Sequence, residues 1–268
     1  LDYSLNINSN NYAKYPSDIT SNSNLDINTF INQPNNILGI EYIKALMRFN
    51  SKINPVPLKR LGAGYHSLDT GTKLASATGI RTAMANKDNI SGLLPDNCLN
   101  IIKNHTTIEY NDFSTVLGSK LLSMDTLDHI EGINQDLSNR IANNKYNFTD
   151  IETFIPMLQS KNYTYSAISR ALLHIILDIK TDDIKEFVNN NYAMILGFTQ
   201  KSGVLSEISK STKIPLVSKF ATFYKEADNN QRKMLDINLK ADNLYRMIYM
   251  NKTGETLPTE FQRQIIIK

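Results

Sequence analysis

At 268 residues, 41% hydrophobic and 21% charged, the chain can bury a core as one or two soluble globular domains, which excludes disorder along its whole length. A net charge of +3 excludes the dense basic character of a histone-like binder and names no partner. The lone cysteine, Cys98, excludes an intramolecular disulfide and a cysteine-built zinc site. No apolar run approaches the ~20 residues that span a bilayer, and the opening LDYSLNINSNNYAKYPSD lacks a secretory layout. The expectation is a cytoplasmic protein with no membrane association.

The chain begins at Leu1 rather than Met, and residues 1–24 are Asn-rich and without periodicity, as in a flexible arm or the interior of a longer protein. The stretch QPNNILGIEYIKALMRFN predicts a helix, with Pro34 in the first turn and Leu38, Tyr42, Ala45, Leu46 and Phe49 on one face. NPVPLKRLGAGYH predicts a short extended segment, Val56 and Leu58 on one side, ending in a turn at Gly62 and Gly64. Helix, strand and Gly-rich turn make one unit of an α/β sheet. The next helix opens in ASATGIRTAM with Ser76 as N-cap and Ile80 and Met84 on one face.

From about Ser91 strand signals become rare. Three amphipathic stretches follow: Phe113, Val116, Leu117 and Leu121; Ile168, Leu172, Ile175, Ile176 and Ile179; Met234, Ile237, Ala241, Leu244 and Ile248. The runs YAMILGF at 192–198 and IPLVSKF at 214–220 fit strands or buried helical turns equally. The fold class expected is α/β followed by mainly α.

Three motifs carry chemistry. In SATGIR, a helix start offers unpaired N–H groups and partial positive charge to phosphate, and Ser76, Thr78 and Arg81 add donors around it. Taken alone, the pattern more often marks a capped helix with a solvated arginine. In KRLGAGYH, Arg60 ends a strand where ligands of open α/β sheets bind, and the glycines admit a close backbone. A plain tight turn is the simpler reading of that stretch. In PNN, Asn35 sits at a helix start, able to cap it or to contact a base or ribose, with capping the safer reading of either Asn taken singly.

QPNNILGIEYIKAL, KRLGAGYH and ASATGIR, in this order and spacing, resemble the tRNA(Met) cytidine acetate ligase family, and YTYSAISRALLHIIL and MLDINLKADNLYRMI are similar to its helical C-terminal part. The resemblance covers nearly all of residues 25–250. It implies the C-terminal part of a partial Rossmann-like nucleotidyltransferase domain over 1–92 and a helical, tRNA-binding domain over 93–268. It also implies a ligase that activates acetate with ATP as acetyl-adenylate and acetylates the wobble cytidine of elongator tRNA(Met) to N4-acetylcytidine. By resemblance Asn35, Arg60 and the backbone of Leu61 contact ATP, and Ser76, Thr78 and Arg81 match the phosphate motif of the wider superfamily. Mg²⁺ is expected to arrive with ATP; no metal site of the protein's own and no catalytic nucleophile is assigned.

One departure is large. None of the four histidines, His66, His105, His129 and His174, lies in the family's His-x-Gly-His pair, so an N-terminally truncated chain without adenylation activity of its own is expected. On the RNA side, residues 201–233 hold seven basic against three acidic residues, with Lys210 and Lys213 among them, and Arg170 lies on the polar side of an amphipathic helix. A solvated helical face explains that stretch equally well. The rival reading of the chain is a non-catalytic RNA-binding or scaffolding module; a third is a nucleotidyltransferase with another acid or acceptor.

Overall fold

Proline at the first position of a helix forfeits no hydrogen bond, because that N–H has no partner within the helix, and Pro34 takes this place in the helix Pro34–Arg48. The computed structural model describes residues 33–58, 75–187, 191–200 and 203–268. The chain divides into two units, Leu1–Lys103 and Asn104–Lys268.

In the first unit the expected helix forms, yet none of its residues is buried. Leu38, Tyr42 and Phe49 of the expected inward face are 53%, 64% and 75% exposed, and only Ala45 and Leu46 are half-buried. The extended segment expected next is described as far as Leu58, and residues 51–58 pair with no strand. Its Gly-rich turn, with Arg60 and Leu61, lies outside the described residues. The helix Ala77–Ala85 starts at Ser76 as expected. Its buried stripe is Gly79 and Ala83, one position before Ile80 and Met84, which are half-buried. Residues Asp96–Asn104 form a further helix through Leu99 as its buried residue.

The second unit has a deep core. Leu117, Leu121, Leu137, Ile141, Phe154, Ile155, Ile168, Leu172 and Ile175 are each 2% exposed or less and belong to one apolar cluster. Each fully buried Leu or Ile contributes roughly 1.5–3 kcal/mol relative to exposure. The helices that supply it are Ser114–Ser123, Gln135–Asn144, Ile151–Leu158 and Tyr165–Leu177. Polar side chains start three of them: Asn134, Asp150 and Thr164 accept from the amides of Leu137, Thr153 and Ala167. The long helix Asn229–Thr253 starts with a reciprocal capping box between Asp228 and Gln231 and ends at Gly254 with φ 77°. Of its expected apolar face, Ile248 is buried, whereas Met234, Ile237, Ala241 and Leu244 are half-buried.

The two ambiguous apolar runs resolve mainly as strands. β1 (Ala193–Met194) pairs in parallel with β3 (Leu216–Val217), and β2 (Gly197–Phe198) with β4 (Ile266–Ile267). A Cβ at Gly197 would stand 2.7 Å from the Ile266 carbonyl oxygen, so the second pair needs glycine there. The end of IPLVSKF turns instead into the helix Phe220–Glu226, where a second, smaller cluster forms around Phe220, Ala227 and Leu235.

Candidate functional site

Ser76 is 2% exposed, and its Oγ accepts the Gly79 amide at 2.9 Å. That bond fixes where the helix begins and therefore where its first amides point. The amides of Ala77 and Thr78 have no hydrogen bond among the described residues, so the positive end of the helix keeps donors available. Thr78 is half-buried beside them, and Arg81 stands exposed one turn further along. Ser76 thus caps the helix, with the Ala77 and Thr78 amides, the Thr78 hydroxyl and Arg81 on its first turns.

Asn35 behaves differently from its simpler reading. The N-cap of the first helix is Gln33, and no side chain caps that helix. Asn35 is exposed, and its side chain makes no hydrogen bond among the described residues. Its carboxamide therefore keeps both donor and acceptor for something outside the helix. Asn35 and the Ser76–Arg81 turn belong to the same unit.

In the second unit Arg170 is exposed on the helix whose other face, Ile168, Leu172 and Ile175, forms the main core. Lys210 lies in the last turn of the helix Val204–Ser211, which buries nothing, and Lys213 follows just beyond its end. Neither lysine, nor Arg170, has an ion-pair partner among the described residues. Arg170 and the two lysines belong to different elements, the helix Tyr165–Leu177 and the helix Val204–Ser211 with the residues just after it.

Two features escaped the sequence reading. At the end of the helix Tyr165–Leu177, Lys240 Nζ donates to the Leu177 carbonyl at 2.7 Å. Burial pushes the Lys240 ammonium below its ordinary pKa; Lys120 and Lys180 lower it further, and Asp178 opposes them. The second feature is an aromatic cluster. Phe261 meets Phe220 at 5.2 Å and Tyr224 at 5.5 Å, both nearly perpendicular, and the Arg232 guanidinium lies 5.5 Å from the Tyr224 ring centre. Tyr224 donates its hydroxyl to Asp236 Oδ1 at 2.6 Å, and this bond raises the tyrosine pKa. The string KFATFYK, aromatic residues interleaved with lysines, was the available signal. Tertiary folding alone brings Phe261 to it.

Two of the described histidines have partners within the second unit. His174 Nδ1 donates to the Glu131 carbonyl at 2.7 Å, and His129 Nε2 stands 3.8 Å from Asp178. Among the described residues no group of three or more His, Cys, Asp or Glu could hold a metal ion, and no helix is long and apolar enough to cross a membrane.

Comparison with known proteins gives the family and the fold. A family model described as HIGH Nucleotidyl Transferase matches residues 3–259. A tRNA(Met) cytidine acetate ligase of Thermoanaerobacter sp. (strain X514) is 31% identical over 239 residues, which is 86% of this chain and 59% of that protein. The crystal structure of Thermotoga maritima TmcAL in its apo form I superposes with a TM-score of 0.77 at 23% identity, over 88% of this chain and 61% of that one. The same protein bound with alpha-thio ATP gives 0.75 at 23% identity, over 89% of this chain and 61% of that one. The chain thus spans about three-fifths of the length of the curated relative it matches. The likeness shows the fold: an α/β nucleotidyltransferase domain followed by a mainly helical part.

Proposed function

This chain belongs to the HIGH Nucleotidyl Transferase family, and from that premise we propose that it serves an ATP-dependent tRNA(Met) cytidine acetate ligase of the cytoplasm. The observation that carries the reading is the 31% identity with such a ligase over 86% of the chain. The alpha-thio ATP bound by a protein of the same fold supports ATP as the nucleotide.

The reaction runs in two steps. An acetate oxygen attacks the α-phosphorus of ATP, pyrophosphate leaves, and acetyl-adenylate forms. The exocyclic amine of the wobble cytidine in elongator tRNA(Met) then attacks the acetyl carbonyl. AMP departs, a proton is lost from nitrogen, and N4-acetylcytidine results. Neither step needs a protein nucleophile; both need reactants held in line and cations near developing charge. Asn35 fits a contact to base or ribose through its uncommitted amide. The amides of Ala77 and Thr78, the Thr78 hydroxyl and Arg81 fit phosphate oxygens, with Ser76 holding that helix start in place. Arg60 and the Leu61 backbone complete the assignment as further ATP contacts. Mg²⁺ belongs on the ATP phosphates, where it needs few protein ligands.

In this reading the first domain holds the nucleotide and the helical domain, with Arg170, Lys210 and Lys213, meets tRNA. An assay of the full-length protein for acetate-dependent AMP formation, with and without tRNA(Met), tests it. Turnover indifferent to acetate contradicts the assignment. Salt-dependent RNA binding with no AMP formed favours a non-catalytic RNA-binding module instead.

A further inference from the structure

Phe261 is 47% exposed although it belongs to a cluster with the buried Phe220 and with Tyr224. Its surroundings are fixed before any partner arrives. Tyr224 is tied to Asp236, and Phe220 packs in the core of the smaller cluster. Lys219, at the N-cap, and Lys225, in the last turn of the same helix, are exposed and have no ion-pair partner among the described residues. Arg232 Nη2 donates to the Lys225 carbonyl at 3.1 Å, and its guanidinium lies by the Tyr224 ring, so it keeps its charge without a carboxylate. Of the acids nearby, Asp228 accepts amides as a helix cap, Asp236 accepts from Tyr224, Glu260 pairs with Arg263, and Glu226 has no partner among the described residues. An aromatic ring open to solvent, packed on a helix whose lysines have no ion-pair partner among the described residues, suits a ligand that is flat and apolar on its faces and anionic along its backbone.

We propose that Phe261 and Tyr224, with Lys219, Lys225 and Arg232, form a platform on which an unpaired base of RNA stacks while the flanking phosphates meet the cations. The inference rests on the reading of this chain as part of an RNA-modifying enzyme and assigns to it a contact surface apart from Arg170, Lys210 and Lys213. Stacking requires a base out of its duplex, so the surface distinguishes single-stranded segments from helices. An apolar protein partner would gain nothing from three cations around the ring.

This chain contains no tryptophan, and Phe261→Trp places one at the platform, its emission read as the difference from the unsubstituted protein. In the full-length protein, its emission is expected to be quenched, saturably, by an anticodon stem-loop of elongator tRNA(Met) and by a single-stranded RNA 12-mer. A blunt RNA duplex of equal charge should leave it unchanged. Phe261→Leu, which keeps apolar volume without the ring, should weaken binding of both probes on the order of 5- to 100-fold and leave the salt dependence alone. Lys219→Gln and Lys225→Gln should each reduce the salt slope by about 0.7.

Equal quenching by duplex, or unchanged affinity in a folded Phe261→Leu protein, overturns the platform. So does loss of self-association or of protein binding in that variant with RNA affinity intact. If the 12-mer depends on Phe261 while the stem-loop does not bind, the platform stands and the tRNA(Met) assignment fails. If the stem-loop binds independently of Phe261, the assignment stands and the platform fails.

Discussion

The helices Pro34–Arg48 and Tyr165–Leu177 both carry an apolar stripe, yet the first buries no residue and the second buries six. Periodicity reports which face of a helix is apolar; it does not report whether anything covers that face. The second helix derives its stability from tertiary packing around Ile168, Leu172 and Ile175. The first depends on local signals, Pro34 above all. The proposed contacts divide likewise: Asn35, Ser76 and Thr78 sit at helix starts with little core behind them, Arg170 rides on the packed helix, and Lys210 lies on a helix that buries nothing.

The largest effect should come from breaking the packed side of this comparison. Leu172→Ala should cost about 2–5 kcal/mol in urea unfolding, through lost burial and a cavity, whereas Leu38→Ala, at a 53% exposed position, should stay within about 0.5 kcal/mol. Comparable losses at the two sites would show that the exposed helix is covered in solution. Next in size is Ser76→Ala. Loss of the bond to Gly79 should cost roughly 0.5–2 kcal/mol, and because it frees the helix start, ATP affinity should fall with it. A stable variant with unchanged ATP affinity would remove Ser76 from the positioning role.

A smaller effect concerns acid. Burial of Asp112 works to raise its pKa, but the Glu109 amide and the Lys252 ammonium, 2.7 Å away, outweigh it and hold the carboxyl below 3.8. The folded state therefore favours the charged form. Its contribution is complete above the ordinary carboxylate range and disappears as pH falls through the lowered value. Asp112→Asn should flatten that part of the acid unfolding curve measured by circular dichroism; an identical curve in the variant would deny the contact any share. Smallest for stability is Asn35→Ala, within about 0.5 kcal/mol because Asn35 caps nothing. It should still weaken ATP binding about fivefold, the worth of one hydrogen bond, as titration calorimetry would read.

What the sequence made legible was local. Pro34 at a first turn, Ser76 as a cap and the Ile168–Leu172–Ile175 stripe each follow from rules that act within one or two turns, and each is found. Less legible was anything settled at a distance. The run at 192–198 could be recognised as strand only through its pairing with residues 216–217 and 266–267. The helix Ile151–Leu158 hid behind its internal Pro156. Asn35 looked like a cap because the alternative, an N-cap at Gln33 with no side-chain bond, has no sequence signature. Phe261 stands 37 positions beyond Tyr224 in a chain that gives no hint of their contact. For Arg60 and Leu61 the sequence is the whole account, since they lie outside the described residues.

Hydrogen exchange of the full-length protein, with alpha-thio ATP and separately with tRNA(Met), tests the division of tasks most directly. The account expects the nucleotide to slow exchange at the starts of the helices Pro34–Arg48 and Ala77–Ala85 and to leave Tyr165–Leu177 unchanged, with tRNA protecting the second unit. Nucleotide protection confined to Asn104–Lys268 would contradict it.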